Sequence, residues 1–179
     1  MKNFAIFVWE TTKIVVISLA IIIPIRYFLI QPFFVRGASM EPNFDSGQYL
    51  VVDELSYRFQ NPNRGDVIVF EYPLDPSQYY IKRIIGLPRE TVEIKDGNII
   101  IYNIENPKGF ILDESSYLSK EDSYTNNSLK MTLDSGEYFV LGDNRNASSD
   151  SRRWGPVSED EIVGKVWIRA WPFDSAKIY

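Results

Sequence analysis

The sequence predicts a mainly β fold, an antiparallel sheet or partly closed barrel, preceded by one N-terminal transmembrane helix. Three observations lead there. An apolar stretch fills the N-terminus. Short runs rich in Val, Ile, Tyr and Phe, broken by Gly, Pro, Asn and Asp, fill most of the remaining chain. A hairpin signal, Lys95-Asp96-Gly97-Asn98, joins two of those runs. The organisation expected is an anchor segment over residues 1–35 and a β-rich domain over 36–179.

The anchor comes first. From Phe4 to Val35 the only charges are Glu10, Lys13 and Arg26. The charge-free run Ile14–Ile25 would cover only about 18 Å as helix, against a membrane core of about 30 Å. Both flanks stay apolar, however, so the helix is placed at about residues 9–30. Lys13 and Arg26 would snorkel toward opposite interfaces, and Trp9 and Tyr27 would sit in the interfacial belts. Pro24 is a kink position and Pro32 the stop. A cleaved signal peptide is the competing reading, but the apolar stretch is long for one and Arg26 interrupts it. Charge alone leaves the orientation open, with cations on both sides.

The strands come next. Candidates are Tyr49–Val52, Val67–Tyr72, Tyr80–Ile85, Thr91–Ile94, Asn98–Tyr102, Leu129–Leu133, Glu137–Leu141 and Val163–Ala170. Residues 103–128 are rich in Ser, Asn, Asp and Glu and read as a variable loop or excursion.

Composition removes much chemistry. The 179 residues include no Cys and no His. Disulfides, thiolate nucleophiles, Cys or His metal sites and every His general base are therefore excluded, and acid–base work falls to Lys, Asp, Glu or Tyr. The net charge of −5 argues against nucleic acid as a partner.

Three segments can carry chemistry. Ser39 sits in Gly37-Ala38-Ser39-Met40-Glu41-Pro42, where a turn residue and a nucleophile look alike. In the strand Tyr80–Gly86, Lys82 and Arg83 point to opposite faces, so one of the two cations is awkwardly placed. That strand is either an edge with two solvated charges or one that holds a Lys against apolar side chains. Burial would lower the Lys pKa, and a neutral Lys accepts a proton from a Ser hydroxyl. The polar run Gly142–Arg152 is either a solvated loop or one packed beside a site, with Ser148 near Lys82 and Asp150 paired with Arg152 or Arg145.

Together these segments resemble the bacterial-type type I signal peptidases, membrane-anchored Ser/Lys endopeptidases. The resemblance runs from about Arg26 to Pro172 and rests on four ordered motifs: RYFLIQPFFVRGASMEP, RGDVIVF (64–70), YYIKRIIGLP (79–88) and YFVLGDNRNASSDSRRWGPV (138–157). The excursion 103–128 lies outside it. The resemblance implies Ser39 as nucleophile, Lys82 as general base and Ser148 as the residue orienting that base. Asp143, Arg145, Asp150 and Arg152 would buttress the site, and Val35, Met40, Tyr80 and Ile81 would line apolar substrate pockets. It implies no metal and no cofactor. Exported preproteins cut after Ala-x-Ala-like sites are the expected partners, together with membrane lipid. The expected location is the bacterial cytoplasmic membrane, single-pass, with the catalytic domain outside. Phe33, Phe34, Met40 and Phe44 could dip into the interface.

Five positions depart from the family pattern. Gly37 replaces a Ser that serves many members as second oxyanion donor. Asn43 stands for the usual Thr, and Arg89-Glu90 for Gly-Asp. Arg36 is a bulky cation beside the cleft, and with Asn43 it could alter substrate preference. Two other readings remain at this level. A self-cleaving repressor-type Ser/Lys protease is disfavoured by the apolar N-terminus and the acidic remainder. A non-catalytic tethered adaptor would leave Lys82 titrating like a surface amine. The oligomeric state is not readable.

Overall fold

The computed structural model describes residues 2–28 and 30–179, with the side chains of residues 2, 3, 5 and 24–30 left undescribed. The interfacial placement expected for Arg26 and Tyr27, and the kink at Pro24, fall on these and lie outside the described residues.

Helix α1 (Lys2–Phe28) begins earlier than expected. At 1.5 Å per residue its 27 residues reach about 40 Å, more than a bilayer core. The window Ile6–Ile23 has a mean hydropathy of 2.1 and is unburied by the rest of the chain. Its charged residues and both threonines find partners within the helix. Lys13 Nζ pairs with Glu10 at 2.7 Å rather than reaching outward alone, and Thr11 and Thr12 donate to the carbonyls of Phe7 and Val8. Internal pairing of this kind is what lipid exposure demands.

The remaining elements are β1 (Ile30–Phe34), β2 (Tyr49–Asp53), β3 (Val67–Tyr72), β4 (Asp75–Gly86), β5 (Thr91–Lys95), β6 (Asn98–Tyr102), β7 (Phe110–Ile111), β8 (Leu129–Thr132), β9 (Glu137–Leu141), the single turn α2 (Ser151–Trp154), β10 (Val157–Ser158), β11 (Ile162–Trp171) and β12 (Lys177–Ile178). Every strand pair is antiparallel. The larger sheet runs β1-β2-β11-β3-β4-β9-β10, with β12 on β11, and the smaller runs β7-β6-β5-β8.

Local sequence explains the pairing. Asp96 and Gly97 both have positive φ, 50° and 80°, as a two-residue hairpin turn between β5 and β6 requires. Those two strands alternate buried and partly exposed positions and feed Val92, Ile94, Ile99 and Ile101 into a core shared with Ile85, Phe139 and Leu141. Pro32 does not stop a helix. It lies in β1, paired only with β2, and an edge strand tolerates a residue without N–H.

Two placements bear on the site. β4 is central, between β3 and β9, so the solvated-edge reading of Lys82 and Arg83 does not hold. The excursion 103–128 is built into the molecule: it supplies β7, and Glu114, Leu118 and Thr125 are buried.

Candidate active site

β1 leads into a turn that crosses back to β2. Val35 N donates to Gln48 O at 2.9 Å and Gly47 N to Val35 O at 3.0 Å. Between them Gly37 takes φ +87°, a conformation that only glycine adopts freely. One helical turn comes after it, with Phe44 N donating to Met40 O at 2.9 Å. Met40 and Phe44 are fully buried in a core with Val35, Leu50, Val52 and Val166. They fix the turn from below and leave Ser39 half-exposed above it. Met40 is therefore a core residue, not a pocket lining, and neither it nor Phe44 is free to enter a membrane interface.

Lys82 projects from β4 onto this turn. Its Nζ donates to Ser39 Oγ at 2.8 Å and to Ile81 O at 2.7 Å. Only 3% of the residue is exposed. Burial pulls the amine from its ordinary 10.5 down to about 8, although the Asp150 and Asp143 carboxylates act in the opposite sense. A Ser hydroxyl at hydrogen-bond distance from a partly neutral amine is the geometry of an activated nucleophile. The Ser39 N–H makes no hydrogen bond among the described residues and is free to donate to a developing oxyanion. Beside the pair opens a cavity of about 470 Å³, whose lining includes Val35, Arg36, Ser39, Tyr80, Ile81 and Lys82.

The neighbouring cation is fully engaged. Arg83 Nε and Nη2 donate to the two oxygens of Asp143 at 2.8 and 2.6 Å, and Nη1 to Gly65 O at 2.8 Å. Both strand-face cations are thus buried, one as a partly neutral amine and one as a bidentate ion pair. The loop after β9 closes the site. Asn144 N donates to Ser39 O at 3.1 Å, Asp150 accepts from Gly142 N at 3.1 Å, and Arg152 pairs with Asp150 at 2.8 Å. Gly142 is a close-approach glycine: a Cβ there would overlap Ser148 Oγ and the Ser39 carbonyl.

Residues 8–171 match the family described as signal peptidase, peptidase S26. The chain belongs to that family. Among curated proteins, this signal peptidase is 35% identical over 169 residues to a probable signal peptidase I-2 of Synechocystis, covering 91% of this chain and 73% of the relative. It is 30% identical over 174 residues to signal peptidase IB of Staphylococcus aureus, covering 91% and 89%. A crystal structure of a signal peptidase I from Enterococcus faecalis, 35% identical, overlaps 60% of this chain and 97% of its own at a TM-score of 0.48.

In this signal peptidase the expected residues converge, with differences. Ser39, Lys82, Val35, Tyr80 and Ile81 share the cavity. Asp150 takes Arg152, not Arg145. Arg145 turns to the excursion, where its guanidinium meets Glu114 at 2.6 and 2.9 Å and Thr125 at 2.7 Å. Ser148 is buried beside Gly142, but its Oγ has no hydrogen-bond partner among the described residues, so the expected bond to Lys82 is not formed. Asn43 is not a substrate contact: its Nδ2 donates to Asp143 Oδ2 at 2.9 Å and to Tyr117 O at 2.8 Å. Glu90 is buried on Arg64 and Asn103, away from the cavity. Glu114, Tyr117 and Thr125 escaped the sequence reading. Their run is polar in composition and carried no signal of burial.

Proposed function

We propose that this signal peptidase cuts exported preproteins through a Ser39–Lys82 dyad. The observation that carries the reading is the buried Lys82 amine, held 2.8 Å from Ser39 Oγ with its pKa lowered to about 8. Ser39 Oγ attacks the scissile carbonyl carbon while Lys82 Nζ takes its proton. The tetrahedral species collapses, the C–N bond breaks, and the leaving amine receives the proton from Lys82. Neutral Lys82 then deprotonates water, which cleaves the acyl-enzyme and releases the signal peptide as a carboxylate. The Ser39 N–H is one oxyanion donor. Gly37 brings no hydroxyl for a second.

The apolar cavity walls at Val35, Tyr80 and Ile81 suit small side chains, in keeping with Ala-x-Ala-like sites. Asp143 and Asp150, through Arg83 and Arg152, hold the strand and loop that flank the dyad. We place α1 across the bacterial cytoplasmic membrane, in contact with lipid, and the β-rich part on the outer side. Only the short strand β1 then separates the helix from the nucleophile turn. That spacing suits a substrate whose apolar segment ends at the same surface. Tethering both partners to one membrane raises their effective concentration.

The test is cleavage of a preprotein with an Ala-x-Ala site, in detergent or lipid, followed by N-terminal sequencing of the product. The wild type should release a product that starts just after the second Ala, and Ser39→Ala should release none. A different cleavage position, or an active Ser39→Ala protein, would sink the reading.

A further inference from the structure

The excursion 103–128 touches all three segments that carry the site. Its anchor is one helical turn, in which Tyr117 N and Leu118 N both donate to Glu114 O, at 3.1 and 2.9 Å. Leu118 and Glu114 are buried beneath it. From this turn three contacts reach out. The Glu114 carboxylate holds Arg145 bidentately, at 1% and 4% side-chain exposure. The Tyr117 carbonyl accepts from Asn43 on the nucleophile turn. The Tyr117 ring lies 4.0 Å from the Arg83 guanidinium, next to Lys82 in sequence.

Each contact ends close to the reacting atoms. Arg145 Nε donates to Gly142 O at 2.9 Å, so the arginine that Glu114 holds in turn holds the Gly142 backbone. Two residues on, Asn144 N binds the carbonyl of Ser39 itself. Asn43 spends its amide nitrogen on two acceptors at once, Tyr117 O and Asp143 Oδ2. Asp143 is the partner of Arg83. The side chain of Asn43 therefore joins the nucleophile turn, the excursion and the ion pair behind the base. A hydroxyl, with one proton, would serve only one of those acceptors. A brace for stability alone would have no need to converge on the Ser39 peptide and on the neighbour of Lys82 together.

We infer that the excursion is a clasp that sets the distance between Ser39 and Lys82, with Glu114 and Asn43 as positioning residues. The inference rests on the dyad reading. Neither residue touches substrate. Loosening either lets the Ser39 peptide shift relative to the Lys82 amine, and misplacements of about 1 Å in such geometry cost about 100-fold in rate. The apolar cavity wall at Val35, Tyr80 and Ile81 is touched by neither residue, so the loss falls on kcat rather than KM.

The experiment uses full-length enzyme in detergent, wild type and the variants Glu114→Gln and Asn43→Thr. Active sites are counted by intact mass after labelling with a serine-directed acylating probe, and kcat and KM for an Ala-x-Ala peptide are expressed per labelled site. Both variants should lose about 10- to 100-fold in kcat with KM within about twofold. Normal kcat per labelled site with only a lowered Tm overturns the inference and makes the excursion a stabilising brace. Should Glu114→Gln fail to fold, the half-exposed Asn43→Thr decides alone. Wild-type enzyme that cuts without being labelled at Ser39 overturns the dyad reading, and the inference with it. Labelled wild type with unaffected variants overturns only the inference.

Discussion

Replacing Lys82 by methionine removes the amine while keeping most of the apolar stem, and its effect on stability should depend on pH in a way set by burial. The amine falls from 10.5 to about 8 on folding because burial disfavours its charge. At about 1.4 kcal/mol per pH unit, that drop corresponds to about 3 kcal/mol. Below pH 8 both folded and unfolded chains hold the proton, and the cost of burying the charge is fully present. Between pH 8 and 10.5 the unfolded chain holds the proton and the folded chain does not, so wild-type stability rises with pH. Above 10.5 both are neutral and the cost is gone. Lys82→Met escapes this cost but loses the hydrogen bonds to Ser39 Oγ and Ile81 O, worth about 1 kcal/mol each. The variant should thus be more stable than wild type by about 1 kcal/mol at pH 7 and less stable by about 2 kcal/mol near pH 10.5. Denaturant melts of both proteins in one detergent across that range measure the difference. A stability difference that stays flat with pH would refute a buried, destabilised amine.

Other outcomes rest on the same geometry. Asp143→Asn leaves the Arg83 charge buried without its carboxylate and should cost about 3–5 kcal/mol, measured as a lowered denaturation midpoint. Gly142→Ala should lose activity before it loses fold, because its Cβ meets Ser148 and the Ser39 carbonyl; unchanged kcat would mean the loop yields freely. Ser148→Ala removes a buried hydroxyl that has no partner, so its Tm should not fall. A fall by several degrees would show a hydrogen bond to that hydroxyl that the structure lacks.

Much of this architecture was legible because local and long-range signals agree. Alternation in β5 and β6, the Asp-Gly turn between them and the β-branched run of β3 each point to the element that forms. What escaped did so for physical reasons. β1 was hidden by Pro32, which reads as a breaker although an edge strand leaves its missing N–H unneeded. β7, β10 and β12 span two residues each and carry no periodicity. The family resemblance implies Met40 as a pocket residue, yet the turn places it in the core beneath Ser39. Ser39 and Lys82 were readable from motifs, but the burial of Lys82 was not. A strand pattern assigns faces and cannot say that both faces of β4 are covered. Glu114 and Tyr117 lie in a run whose polar composition reads as solvated loop.

The most direct test of the dyad is kcat/KM for an Ala-x-Ala peptide between pH 6 and 10. Free-enzyme Lys82 must be neutral to accept the Ser39 proton, so the rate should rise tenfold per pH unit at low pH and level off with a midpoint near 8. Lys82→Met should show no rate at any pH. A flat profile, or a Lys82→Met protein that still cuts, would contradict Lys82 as the base and require another group to activate Ser39.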